Sequence, residues 1–489
     1  MFQYLRASVP LWFSLHLLLW PMALISIFII TLVSPAEILG AWPDDPAVNL
    51  PICIADGTQE HPRIATDGAS GAIIVWQDIS SLSSDIYAQR VDARGVVRWT
   101  KDGVAICLEK GEQWHPRLVY DGAGGAIIAW WDKRVGYSEM DIYAQRVNGD
   151  GEIQWQPGGV PICTDRKFQQ ELSIIADDAG GAIITWHDYR SESGTPYVYA
   201  QRINADGEVQ WEHDGVIVAG QEGYQKYPVL AGDGAGGAII AWQDWRDGKG
   251  DIYAQRVDAN GKMVWQENGA PVCAMPERQW YPTIVTDGAD GAIIVWMDHR
   301  NDEEDMIISR TNPPVTAGWD IYAQRVNAQG EMQWQMNGVP VCVAQGDQYD
   351  YSIISDGAGG AFITWHDQRG GNWDIYAQKL NSLGNVEWAK LPVCNESGDQ
   401  YNPNIVSDGV DGVIITWWDK RDIYGDIYAQ RIDANGNFLW VESGAAICTA
   451  EGNQQDSQPV NSGVGSAIIA WWDMRRVDAD IYAQRVLSE

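Results

Sequence analysis

The 489-residue sequence predicts an all-β protein, an eight-bladed β-propeller of four-stranded antiparallel blades. Three observations lead there. A unit of about 54 residues recurs eight times, each unit holds four short β-type segments without a helical period, and the two chain ends are complementary fragments of one unit.

The repeat is anchored by Trp76, Trp130, Trp186, Trp242, Trp296, Trp365, Trp417 and Trp471, spaced by 54, 56, 56, 54, 69, 52 and 54 residues. A well-preserved copy reads YPTIVTDGADGAIIVWMDHR from Tyr281 to Arg300, and another stretch reads DIYAQRVDANGKMVWQENGAPVC from Asp251 to Cys273. The first strand is P-x-I-V-x, ending in an Asp-Gly-Ala-x-Gly turn whose glycines supply positive φ. The second, Ala-Ile-Ile-x-Trp, is a continuous apolar run suited to cover on both faces. The third, Asp-Ile-Tyr-Ala-Gln-Arg-Val, is followed by a turn such as Asp258-Ala259-Asn260-Gly261. The fourth carries Trp265 and ends near Cys273. Residues 54–489 hold these repeats.

The last copy stops after its third segment at Val486, while about residues 40–53 read as a fourth segment lacking its first three. Joining them completes an eighth blade and closes the ring, whereas an open solenoid would leave two unpaired edges. Trp42 precedes Cys53 by eleven residues where Trp265 precedes Cys273 by eight, an excess assigned to a loop at Asp44-Asp45-Pro46.

All seven cysteines, Cys53, Cys107, Cys163, Cys273, Cys342, Cys394 and Cys448, occupy one repeat position, with Val218 in the remaining copy. Equivalent points on different blades are expected to lie beyond bridging distance, so these are read as free, buried thiols rather than disulfides or metal ligands. A second set of eight tryptophans, Trp42, Trp99, Trp155, Trp211, Trp265, Trp334, Trp388 and Trp440, also recurs and is assigned to packing between blades. Gln59 and its seven counterparts are expected to tie loops through backbone hydrogen bonds. Asp244 and Arg246 of Trp-x-Asp-x-Arg are expected to form a local ion pair with Asp251 across the hairpin.

Residues 1–36 read as a signal peptide or signal anchor: Arg6 precedes an uncharged apolar run from Leu11 to Val33, with a small-residue cleavage site at Ser34-Pro35-Ala36. Residues 37–489 are then exported, to the periplasm, the cell surface or the medium, and contact a membrane only through an uncleaved leader. With 33 basic against 66 acidic residues the net charge is −33, which argues against nucleic acid as a partner.

Function is sought where the repeat breaks. Eight tryptophans fall outside the two recurring sets: Trp114, Trp131, Trp245, Trp280, Trp319, Trp373, Trp418 and Trp472. Strand direction puts all eight toward the upper face, formed by the second-to-third loops and the blade-to-blade connections, together with Tyr137, Tyr189, Tyr224, Tyr227, Tyr281, Tyr349, Tyr401 and Tyr424. Aromatics beside Asp, Asn and Gln suit sugar rings or a protein partner; cover over loops is the competing role. Arg63 and Arg117 enter the first strands of two successive blades, each two residues after His61 or His115. These four are expected to line one sector of the channel mouth, either paired with the surplus of local acid or as an anion site. An insertion, Asn301 to Gly318, interrupts the fifth copy.

Across residues 42–489 the chain resembles bacterial exported repeat proteins carrying DGxGGAIIxWxDxR, DIYAQRV and GxxxW, a resemblance that implies a propeller and no particular activity. The turn after the third strand is also similar to the Asp-box of sialidase-like propellers, without the Ser or Thr two positions before Asp258 and with Trp265 one residue late. A sialidase-like glycoside hydrolase needs three arginines on a carboxylate and a Tyr–Glu pair, and only Arg63 and Arg117 stand out. No Gly-x-Ser-x-Gly, His-Glu-x-x-His or phosphate loop is present. The expectation is therefore a binding protein with no cofactor or resident metal, recognising a polysaccharide or an envelope or extracellular protein through its upper face. A structural subunit of an envelope complex and a glycoside hydrolase are the alternatives.

Overall fold

The computed structural model describes residues 42–80, 83–136, 139–301, 318–388 and 390–487. The leader, Tyr137 and the body of the insertion at 302–317 lie outside the described residues. Two units are distinguished, residues 1–39 and residues 40–489, and the second is the propeller.

Among the described residues thirty-two strands form eight separate four-stranded antiparallel sheets, one per repeat. In the eighth, Leu50–Cys53 pairs with Asp480–Val486, so the N-terminal segment supplies the missing fourth strand as the sequence predicts. Blades are numbered from the one beginning at Thr58–Thr66. Their first strands touch one another in an unbroken ring and so line the central channel. Among the described residues no helix is long and apolar enough to cross a membrane.

The recurring letters are explained by contacts. In Asp-Gly-Ala-x-Gly, Asp233 Oδ1 accepts from Ala235 N and Gly237 N at 2.9 and 2.8 Å, an Asx turn that fixes the hairpin. Asp233 Oδ2 then takes Arg256 Nε of Asp-Ile-Tyr-Ala-Gln-Arg-Val at 2.9 Å. Gln255 Oε1 accepts from Arg256 N and Trp265 N while its Nε2 donates to Gln266 O, closing the turn between strands three and four. Second-strand residues from Ala238 to Asp244 are buried along their whole length, which is why that segment reads as an unbroken apolar run.

Both tryptophan sets pack as expected. Trp242 is wholly buried, stacks on Tyr253 at 6.4 Å and donates to Asp244 Oδ2 at 2.8 Å. The outer Trp of each blade reaches the next: Trp211 Nε1 donates to Ala259 O at 3.1 Å and Trp265 Nε1 to Ala328 O at 2.9 Å. Trp440 makes no such bond among the described residues, because blade eight has no continuous third-to-fourth turn to offer it. A groove of about 840 Å³ lies there, between Trp440, Arg431, Val441 and Leu487.

All seven cysteines are free and buried. Each packs at a blade junction: Cys273 Sγ lies 3.9 Å from Asp298 Oδ2 and receives Arg300 at 3.2 Å. Burial, the largest influence, pushes thiols such as Cys107 up to about 12. Seven of the eight scaffold glutamines tie their loops as expected, and Gln59 makes no such backbone bond among the described residues. Gln279 Nε2, for example, donates to Glu277 O at 2.7 Å.

The expected pairing with Asp251 is corrected. Arg246 binds Asp244 of its own motif through two nitrogens, at 2.8 and 2.6 Å, and lies 3.6 Å over the Tyr253 ring. Asp251 is instead the register partner of Asp244 and shares its negative surroundings. A motif two residues apart can fold its guanidinium back onto its own carboxylate, leaving the facing aspartate without it.

That arrangement has a pH consequence. Burial first, then neighbouring carboxylates, push Asp141, Asp251 and Asp426 up to about 7, and burial raises Asp320, Asp374 and Asp480 to about 6. Between pH 4 and 7 the folded chain therefore holds protons that the unfolded chain has released, so this contribution to stability is lost as pH rises. Burial drives His115 down to about 4 and His187 to about 3, and lowers His366. These imidazoles act oppositely, an effect that fades as pH passes their unfolded value of about 6.5. From pH 6.5 to 8 the raised carboxyls, joined toward pH 8 by the raised thiols, outweigh them: thermal midpoints are expected to fall, and Asp251→Asn to fall less. A midpoint that rises across this interval contradicts the account.

Candidate binding site

Each first strand carries a β-bulge near its upper end, and at every bulge one non-glycine residue has a left-handed backbone. The eight are His61, His115, Glu171, Tyr227, Tyr281, Asp350, Asn402 and Asp456, with φ between 45° and 56°. The register breaks between Trp280 and Thr283 and at the corresponding place in each other blade. A left-handed conformation costs an L-residue roughly 1–2 kcal/mol, and bulges re-aim side chains beside functional sites. The backbone device is identical in eight copies, whereas the side chain it presents differs: two His, a Glu, two Tyr, two Asp and an Asn. The second and third strands and the turns at the lower face, by contrast, repeat almost letter for letter.

A second variable position accompanies it, between the Trp and Asp of the second strand. In three blades its residue contacts the bulge of the following blade, and in two others the bulge of its own. Gln77 Oε1 accepts from His115 N at 3.4 Å and Gln243 Oε1 from Tyr281 N at 3.5 Å. Trp131 packs on His115 of its own blade at 4.4 Å between ring centres, and His187 on Tyr227 at 6.0 Å.

Together these rings make three aromatic arcs around the mouth. His61, His115 and Trp131 form the first. The second runs from Tyr189 through His187, Tyr227, Tyr281 and Trp280 to Trp319 and His299. The third joins Tyr349, Trp373, His366, Tyr401 and Trp418. Glycines admit two of the indoles: a Cβ on Gly250 would lie 2.7 Å from Trp280 Nε1, and one on Gly425 would overlap Trp418 Nε1.

Of the eight tryptophans singled out by sequence, five thus belong to the arcs: Trp131, Trp280, Trp319, Trp373 and Trp418. Trp114 is the register partner of Trp131 and lies under the Lys133 ammonium at 3.8 Å. Among the described residues, no aromatic ring lies against Trp114, Trp245 or Trp472. Trp472 packs instead into the core between blades eight and one. All eight are half-buried, none fully exposed.

His61, Arg63, His115 and Arg117 are brought together as expected. Sequence reading missed Asp456 and Glu171, which sit at the same bulge position on the flanking blades. Arg63 NH1 lies 2.9 Å from Asp456 Oδ2, and His61 Nδ1 lies 3.9 Å from the same oxygen. Burial works against the Asp456 carboxylate, but His61 and Arg63 hold it down at about 2. His115 is neutral, driven down by burial, then by His61 and both arginines. Burial raises Glu171, with Arg117 opposing. The signal that would have revealed both acids is their alignment with His61 and His115, two residues after the invariant glutamine.

No family model matches the chain, and no curated protein matches it. Among solved structures, an ulvan lyase of polysaccharide lyase family PL25, bound to -[GlcA(1-4)Rha3S]-, is similar with 13% identity and a TM-score of 0.48. That match covers 75% of this chain and 90% of the lyase. The polysaccharide lyase Uly1 is similar with 9% identity and a TM-score of 0.46, covering 88% and 100%. The α-L-arabinanase of Penicillium chrysogenum has 12% identity and a TM-score of 0.37, covering 68% and 97%. Likeness at this level does not bear on activity.

Proposed function

We propose that the upper mouth of the channel is a non-catalytic saccharide-binding site and that the exported propeller is its scaffold. The observation that carries this reading is the concentration of chemically varied side chains at the eight left-handed bulges and in the aromatic arcs beside them. Sugars present alternating apolar ring faces and hydroxyl edges. Indole and phenol rings match the faces, while Glu171, Asp350, Asn402 and Gln243 offer hydrogen-bond partners to the edges. A flat protein-docking surface would not need its anchors arranged on the inner rim of a channel.

Binding of residues 42–489 to a broad panel of neutral and acidic polysaccharides tests this reading. Wild type is expected to retain at least one glycan class, and Trp280→Ala with Trp373→Ala to weaken it by about tenfold or more, the loss of one to two stacking contacts. Retained affinity in the folded double variant would exclude the arcs as the binding surface.

A further inference from the structure

The sector of the mouth held by blades one to three contains a cation whose electrostatic needs the protein leaves open. Arg63 and Arg117 occupy equivalent positions on adjacent first strands, yet their surroundings differ. Arg63 is neutralised by Asp456 at 2.9 Å. Among the described residues Arg117 makes no ion pair within 4 Å, and its one hydrogen bond is to the carbonyl of the preceding Pro116, at 3.2 Å. The charges that act on it all sit on neighbouring first strands: Arg63, Asp456 and Glu171. Burial and Arg63 lower its basicity to about 10, so it remains charged at neutral pH, enclosed but reachable by water. A guanidinium left with most of its five donors free, in a channel rather than at the surface, is built to take a planar anion through paired hydrogen bonds.

Resting on the saccharide reading above, we infer that Arg117 is the carboxylate-binding residue of this site and that the ligand carries a uronic acid. His115 lies against Trp131 at 4.4 Å and beside His61 at 5.4 Å, which sets an aromatic wall next to the guanidinium, where the pyranose ring bearing that carboxylate would lie. The acidity of the whole chain sets a limit on the ligand. Repulsion reaches about a Debye length, roughly 8 Å in physiological salt. A sparsely charged chain with an isolated uronate therefore fits better than a polyanion with a charge on every sugar.

The test titrates residues 42–489 with three probes: a xylo-oligosaccharide bearing one glucuronic acid, the same oligosaccharide after carboxyl reduction, and free glucuronate. Wild type is expected to prefer the acidic oligosaccharide over its reduced form by about tenfold or more, the range for hydrogen bonds to a charged group. Arg117→Gln should erase that preference, and Arg117→Lys should restore part of it. Equal affinity for the acidic and reduced forms would overturn the carboxylate assignment and leave the saccharide site standing. Binding of free glucuronate as tightly as the oligosaccharide would assign Arg117 to a small carboxylate and overturn the oligosaccharide ligand. Failure of both oligosaccharides by a protein that binds another glycan of the panel would overturn the uronate assignment alone, whereas failure across the whole panel would overturn the reading it rests on.

Discussion

A chain lacking residues 1–53 is expected to lose its closed ring, whereas a chain lacking only residues 1–41 keeps it. The difference is twelve residues that hold blade eight shut. Leu50, Pro51 and Cys53 pair with Ala483, Tyr482 and Ile481. Ile52 and Cys53 are 2% and 1% exposed, and Trp42 and Leu50 pack on the same core. Arg475 reaches across the seam to Ala47 O, Val48 O and Asn49 Oδ1, and Trp42 Nε1 donates to Ala93 O in blade one. Burial of the four side chains alone contributes on the order of 6 kcal/mol or more. Its removal also bares the Asp480–Val486 edge to pairing with other chains. The denaturant midpoint should drop sharply and size-exclusion profiles should show self-association for the shorter chain only. Equal midpoints for the two chains would mean that the ring does not depend on this seam.

Asp244→Ala is expected to destabilise the protein by about 3–5 kcal/mol, the cost of stripping one partner from a buried ion pair. Asp244 is fully buried, and its loss would strand the Trp242 indole N–H at 2.8 Å and the doubly bonded Arg246 guanidinium. Blade one supplies the control. Asp78 stands at the same position, but Ser80 replaces the arginine, and burial raises the Asp78 carboxyl. Asp78→Asn should therefore change stability by no more than about 1 kcal/mol. Chemical denaturation of both variants measures the contrast, and similar losses would show that the guanidinium is not what makes Asp244 costly to remove.

How much of this was legible in the chain differs by layer. Strand order, blade number and closure were readable because each repeat position has one role, and eight copies repeat it. The burial of Ala238 to Asp244 and the bonds of Gln255 are the physical content of letters that recur. The Asp244–Arg246 pair was misassigned because whether a side chain folds back onto its own motif or crosses the hairpin depends on rotamer, which periodicity does not encode. The bulge ring was half-visible. His61 and His115 were noticed as departures, but Glu171, Tyr227 and Asp456 have no common chemistry, and only the left-handed backbone unites them. Trp472 and Trp245 counted equally with Trp373 in sequence, since strand direction gives the face a residue sits on and not its distance from the channel.

The measurement that bears most directly on the central claim is calorimetric titration of residues 42–489 with the glycan selected from the panel, beside the folded Trp280→Ala, Trp373→Ala variant. The account predicts saturable binding by the wild type and a loss of about tenfold or more in the variant. Saturable binding of equal strength in both proteins would contradict it, because the ligand would then be held away from the ring of bulges and its aromatic arcs.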